Sequence, residues 1–251
     1  MLPRLECSPD YPQPAFNGLA FAGRLAPLLG SRQVPGLHAG LENAGLPRHP
    51  MFMATGPGQG PVGAQDRYKR HVIMKTNSSP PVTSRSVTLR CFVDEDAPKV
   101  FAMSQEAGLR AWLPDQVYDS EAAAREVLRY LIEKYRDPAT PLLAPYVLGV
   151  CINGSQELIG HVGLSPLRGQ VEVGYAIEQQ HQCRGFASEA VKAMSEWAGT
   201  FFGLSRILGV VASDNVASCR VLQHAGFELT GESMGELHGR PGLVRTYERV
   251  H

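Results

Sequence analysis

The residues of this 251-residue chain best suited to holding a small anion lie in one short run, Gln182-Cys183-Arg184-Gly185-Phe186-Ala187. Apolar alternation before the run predicts a strand ending at Ile177, and an apolar helical face after it predicts a helix from about Phe186. A turn between a strand end and a helix N-terminus aims several backbone N–H groups at one spot, where the helix dipole adds roughly half a positive charge. Such a nest suits a pyrophosphate. Gly185 lets the backbone approach an anion closely, Ala187 leaves the helix start unobstructed, and Arg184 can add a direct charge. The same run also reads as an ordinary strand-to-helix connection whose glycine merely turns the chain. It lacks the G-x-G-x-x-G of a dinucleotide fold and the G-x-x-x-x-G-K-[ST] of a P-loop, so neither NAD nor ATP is indicated.

The strand before the turn carries the candidate base. In Gln170 to Glu178, a period of two puts Val171, Val173, Tyr175 and Ile177 on one face and Glu172, Gly174, Ala176 and Glu178 on the other. The second face is empty at its centre, which leaves room for a molecule against the backbone or for a closely packed helix. Glu172 on that face is the carboxylate placed to act as a general base, most readily if partial burial raises its pKa. A solvated strand glutamate or a partner for an arginine is the plainer alternative. Glu178 is nearer the turn, and His161 on the preceding strand is a weaker candidate. Cys183 and Cys219 flank the region without a His or Lys tuned to activate them, which argues against covalent catalysis.

Q-x-x-G-x-A after a strand ending Val-Gly-Tyr-Ala-Ile resembles the acyl-CoA signature [RQ]-x-x-G-x-[GA] of the GNAT N-acetyltransferase superfamily. Glu172-Val173-Gly174-Tyr175, Gly185-Phe186-Ala187-Ser188-Glu189-Ala190, Asp214 to Leu222 and Ala225-Gly226-Phe227 follow the order and spacing of its RimJ/RimL-like branch, over about two thirds of the chain from Ser86. The resemblance implies acetyl-CoA as donor and direct transfer to an amine without a covalent enzyme intermediate. It implies a pantetheine arm lying between two splayed strands along Tyr175, Ala176 and Ile177, and a pyrophosphate held by Gln182, Cys183, Arg184, Gly185, Phe186, Ala187 and Ser188. Asn215 matches the family Asn that holds the arm or a bound water, while helix capping is its simpler role. Where many relatives place a thiolate-protonating Tyr, this chain has Leu222, which leaves Ser218 or solvent as the acid. The acceptor is open between a protein α-amine and a small-molecule amine. A non-catalytic acyl-CoA-binding module is the alternative function.

The elements that must position these residues run β-α-α-β-β-β-α-β-α-β-β from Ser86. The expected fold is mixed α/β: a twisted, mostly antiparallel sheet of six to seven strands flanked by about four helices. Ser120-Glu121 caps a helix carrying Ala124, Val127, Leu128 and Leu131, and Asn153-Gly154 between two β-type runs predicts a tight hairpin.

Composition divides the chain in two. Residues 1–85 hold 12 of the 19 prolines and 10 of the 26 glycines with a charge of +5, while residues 86–251 carry −5. The first part shows no lasting apolar period, so residues 1–85 are expected to be a disordered extension and residues 86–251 the folded domain. A tail with its own binding role, a transit peptide, or a start assigned too early, with Met74 as the first residue, would each account for it. The overall charge of +0 points to neither a nucleic-acid nor a membrane partner, and the acidic folded part leans mildly toward a cationic acceptor. Five scattered cysteines without C-x-x-C or a His pair at zinc spacing suggest free thiols, no metal and a cytoplasmic monomer or homodimer. Deleting residues 1–73 should leave the melting temperature and acetyl-CoA affinity unchanged. A loss of several degrees in a thermal melt of the truncated chain would show that the extension packs on the domain.

Overall fold

A computed structural model describes residues 80–251; the expectations for residues 1–79 lie outside the described residues. The described chain forms β1 (Val82–Thr83), β2 (Val87–Arg90), α1 (Ala97–Ser104), α2 (Ala107–Trp112), α3 (Glu121–Lys134), β3 (Tyr146–Ile152), β4 (Leu158–Leu167), β5 (Gln170–Ile177), α4 (Phe186–Phe202), β6 (Arg206–Ala212), α5 (Val216–His224), β7 (Glu228–Leu237) and β8 (Arg240–Val250). The strands form one sheet in the order β1-β2-β3-β4-β5-β6-β8-β7, antiparallel except for β5 and β6.

Both faces of the sheet are covered, as the continuous burial of β5 from Val171 to Ile177 requires. On one face the alternating Val171, Val173, Tyr175 and Ile177 meet Ala190, Val191, Met194 and Ala198 of α4 and Leu222 of α5. On the other, Val147 and Leu158 meet Val127, Leu128 and Leu131, the predicted stripe of α3, and Ala176 meets Leu109 of α2 and Leu113 just after it. Ser120 caps α3 by accepting from the Ala123 N–H at 3.2 Å, as its position before the stripe predicts.

The sheet has eight strands rather than six to seven, because the two-residue β1 pairs with β2 inside the stretch assigned to the extension. There are five α-helices among the described residues rather than about four. The addition is α2, six residues long with only Leu109 buried, which gives no periodic signal. The hairpin at Asn153-Gly154 is looser than a two-residue turn: β4 starts only at Leu158, and the register shifts between Val150 and Cys151. Cys91, Cys151 and Cys219 are free thiols, as expected of them. Among the described residues no helix is long and apolar enough to cross a membrane.

The β5–β6 pair is the exception to this continuity. It has a single registered pair, Glu172 with Leu208, while β6 runs beside β8 in seven pairs from Arg206–Val250 to Ala212–Val244. Beyond Glu172 the sheet therefore forks, with β5 following β4 and β6 following β8.

Under α1 to α3 a cavity of about 30 Å³ is lined mainly by apolar groups, among them Phe92, Met103, Leu128 and Val147, with His161 of β4 in its wall. Burial lowers the His161 pKa from 6.5 to about 4, so the imidazole is neutral at pH 7. Between those two values the unfolded chain binds a proton that the folded chain refuses, so stability falls as pH drops through that window. The contribution is on the order of 2–3 kcal/mol. Equilibrium unfolding at pH 7 and pH 4.5 should show a smaller acid loss in His161→Phe than in the wild type. Equal losses would show that His161 titrates normally in the fold.

Candidate active site

The fork decides which backbone groups face outward. The Glu178 N–H donates to the Ile159 carbonyl at 2.8 Å, which makes Gly160–Ile177 a non-hydrogen-bonded pair in the β4–β5 ladder. By alternation, the N–H and C=O groups of Val173, Tyr175 and Ile177 point away from β4. Val173 lies beside the last registered pair, so Tyr175 and Ile177 present theirs to the widening gap. The Ile177 carbonyl accepts from Gln182 Nε2 at 2.8 Å, so the first residue of the Q-x-x-G-x-A run fixes the end of β5. Ala176 faces α2 rather than the gap with its side chain, so that end of the empty strand face is packed by a helix.

At the wide end of the fork the chain makes the predicted turn. Gly185 is the N-cap of α4 with φ 83°, and Cys183 has φ 58°, both left-handed. Only glycine adopts the Gly185 conformation without strain, and a Cβ there would meet nothing within 4 Å. The space in front of the α4 N-terminus is thus open, with N–H groups of the first helical turn directed into it. Phe186 and Ala187 are buried beneath, Ser188 is half-buried, and the exposed Arg184 lies over the Phe186 ring at 4.8 Å.

Salt bridges hold this turn from the α1 and α2 side. Lys99 binds both Glu178 oxygens at 2.7 and 2.8 Å, and His181 Nε2 is 3.5 Å from Glu178. Burial works to raise the Glu178 pKa, but hydrogen bonds from Gln180 and Lys99 outweigh it and hold the carboxyl below its usual range. Glu178 is thereby an anchor in an ion pair. Glu106 accepts from the Gln179 N–H at 3.0 Å, so one of the acids read as a lean toward cationic acceptors caps the turn.

At the narrow end lies Glu172, 9% exposed, accepting from Ser165 Oγ at 3.3 Å. Its register partner Leu208 marks the crotch of the fork. Asn215 caps α5 through Oδ1, which accepts from the Ser218 N–H at 3.1 Å, yet its buried Nδ2 has no hydrogen-bond partner. The capping role accounts for half of this amide, and the other half is a donor in need of an acceptor. Ser218 is fully buried, with Oγ 2.7 Å from the Tyr175 hydroxyl, so the pair ties α5 to β5. Leu222 is fully buried against Gly209 and belongs to the core.

The structure adds residues that sequence reasoning missed. His238, at the β7–β8 tip, has Nδ1 3.0 Å from Asp115 Oδ2, and Arg240 lies over the Trp112 ring at 4.3 Å. Partners 123 residues apart leave no local signal.

The open nest and the fork together fit an acyl-CoA: an acceptor-hungry Asn215 amide and outward strand groups for the arm, and helix N–H groups for the pyrophosphate. Replacing Gly185 with Val forces φ strain and places methyls in the open space. Calorimetric titration should show acetyl-CoA affinity falling tenfold or more for Gly185→Val, on the scale of roughly 1–3 kcal/mol for such strain, and by much less for Arg184→Ala. Unchanged affinity for Gly185→Val would place the phosphate site elsewhere.

Comparison with known proteins bears on the same segments. The family model for an acetyltransferase (GNAT) domain matches residues 86–228. The chain is 30% identical over 146 residues to the uncharacterized N-acetyltransferase YoaA of Bacillus subtilis (strain 168), spanning 57% of this chain and 80% of that protein. Among solved structures, RimL, the ribosomal L7/L12 alpha-N-protein acetyltransferase in complex with coenzyme A, is similar with TM-score 0.56 at 19% identity over 68% of this chain and 96% of that one. A spermidine N-acetyltransferase chimera from Vibrio cholerae and hSSAT is similar with TM-score 0.53 at 22% identity over 65% of this chain and 95% of that one. At these identities the solved structures speak to the fold alone. The family match covers the fork, the nest and Asn215 together, and by it the chain belongs to the GNAT acetyltransferase family.

Proposed function

We propose that the protein transfers the acetyl group of acetyl-CoA directly to a primary amine within a ternary complex, as a member of the RimJ/RimL-like branch. The observation that carries this reading is the fork itself, whose crotch holds a buried carboxylate, Glu172, beside the last β5–β6 pair.

Acetyl-CoA supplies the activated acyl group; the chain supplies position and proton traffic. Tyr175 and Ile177 hold the arm through the backbone, the Asn215 amide donates to one of its carbonyls, and the turn from Gln182 to Ser188 holds the pyrophosphate. Glu172 takes a proton from the acceptor ammonium so that a neutral nitrogen can attack the thioester carbonyl. Ser218 or solvent returns a proton to the leaving thiolate. That thiol is acidic, near the pKa of about 8.5 of a free cysteine, so the step demands little of its donor. Burial raises the Tyr175 phenol, which stays protonated and keeps the Ser218 hydroxyl oriented.

The acceptor is either a protein α-amine or a small-molecule amine. RimL and the spermidine N-acetyltransferase chimera are named for acceptors from those two classes. A thiol-release screen with N-terminal peptides, polyamines and aminoglycosides assigns it. On the active acceptor, Glu172→Gln should lower kcat on the order of 10²-fold or more while acetyl-CoA affinity by calorimetry stays within about twofold. Unchanged turnover across the pH range would remove Glu172 from the mechanism and favour a module that binds acyl-CoA without base catalysis.

A further inference from the structure

The turn that leads into the nest is anchored from two helices that differ in how firmly they are held. It runs from Glu178 to Gln182, with the His181 N–H donating to the Glu178 carbonyl at 2.9 Å and the Gln182 N–H to the Gln179 carbonyl at 3.2 Å. Lys99 of α1 reaches the Glu178 carboxylate, and α1 is fixed in the core, where Ala97 and Val100 pack with Val127, Leu128 and Leu131 of α3. Glu106 supplies the second anchor, from the corner between α1 and α2. Both of its oxygens, Oε1 at 3.2 Å and Oε2 at 3.0 Å, accept from the Gln179 N–H.

α2 is not fixed in the way α1 is. A helix of six residues does not hold its own backbone in water, so its order comes from outside contacts. Its seat on β5 is Leu109, with Leu113 just after it, against Ala176 on the face opposite Val173, Tyr175 and Ile177. Its far end is held by the Arg240 guanidinium over the Trp112 ring. At its near end Glu106 is the N-cap, extended at φ −64° and ψ 142°, and its carbonyl accepts the first helical bond from the Arg110 N–H at 3.1 Å. One residue thus starts α2 through its backbone and grips the turn through its side chain.

Burial raises the Glu106 carboxyl above its usual range and the nearby Glu178 adds to this, against the Gln179 N–H and Lys99, which work to lower it. The surroundings disfavour the charge, so what the contact requires at this position is an acceptor oxygen. Glu106→Gln keeps one, and Glu106→Ala does not.

We infer that Glu106 is a positioning residue that couples α2 to the turn before α4, so that a ligand held in the nest tightens the helical cover on the opposite face of β5. This rests on the proposed reading that coenzyme A occupies the nest. Coupling of this kind is reciprocal: whatever loosens α2 loosens the turn, and only while Glu106 joins them.

Residue-resolved amide hydrogen exchange on the full chain tests the coupling in two arms. Without ligand, Leu109→Ala should speed exchange at the His181 and Gln182 amides roughly fivefold, the scale of one net hydrogen bond. Glu106→Ala should speed the same amides, and Leu109→Ala added to it should change them no further. Turn amides indifferent to Leu109→Ala, or moved equally in the Glu106→Ala background, overturn the inference. With saturating coenzyme A, the Arg110 and Leu113 amides, which donate to the Glu106 and Leu109 carbonyls, should slow in the wild type and in Glu106→Gln but not in Glu106→Ala. A purely structural cap would leave α2 exchange unmoved by coenzyme A in all three, and slowing in Glu106→Ala equal to the wild type would also overturn the coupling. If Leu109→Ala fails to fold, the coenzyme A arm decides by itself. If coenzyme A gives no binding heat in calorimetry, the reading of the nest fails, and the ligand-free cycle still decides whether Glu106 joins α2 to the turn.

Discussion

One backbone constraint organises this molecule: β5 and β6 pair at Glu172–Leu208 and nowhere else. A parallel pair in a sheet covered on both faces would ordinarily continue, because unpaired strand groups in an apolar interior are costly. Here β6 keeps its ladder with β8 and β5 keeps its ladder with β4, so the discontinuity is confined to one seam. The seam offers outward N–H and C=O groups to whatever chain-like molecule can complete the missing pairing. Pantetheine, an extended amide chain, has that character.

The rest of the fold keeps the fork open and in register. Tyr175 and Ser218 bind across it, joining α5 to β5 at 2.7 Å, while α4 fills the face beneath with Ala190, Val191, Met194 and Ala198. Ala190 and Ala198 among those positions let α4 approach β5 closely. Lys99, Glu178, Glu106 and Gln182 then fix the turn from three sides. None of these contacts is large alone, since a net hydrogen bond contributes about 0.5–1.5 kcal/mol. Together they leave the turn one conformation, which is what a preformed anion nest requires.

Much of this was legible in the sequence where local pattern and chemistry coincide. β5 ends at Ile177 as its alternation predicts, and its inward and outward faces follow from the same strict alternation. Gly185 announced its left-handed cap because the strand before it and the apolar helix after it leave one residue to turn the chain. What was not legible is long-range. The six-residue α2 has no periodic face, and the His238–Asp115 contact joins segments 123 residues apart. Glu178 remained an alternative base to Glu172, because only the folded chain brings Lys99 to one carboxylate and Ser165 to the other.

The central claim is that the β5 side of the fork pairs with an extended ligand through its backbone. Amide hydrogen exchange, resolved by residue and measured with and without saturating coenzyme A, tests it most directly. The account predicts slower exchange at Tyr175 and Ile177 and in the first turn of α4, with the β7–β8 ribbon unchanged. Equal exchange rates at Tyr175 and Ile177 in both states would contradict it.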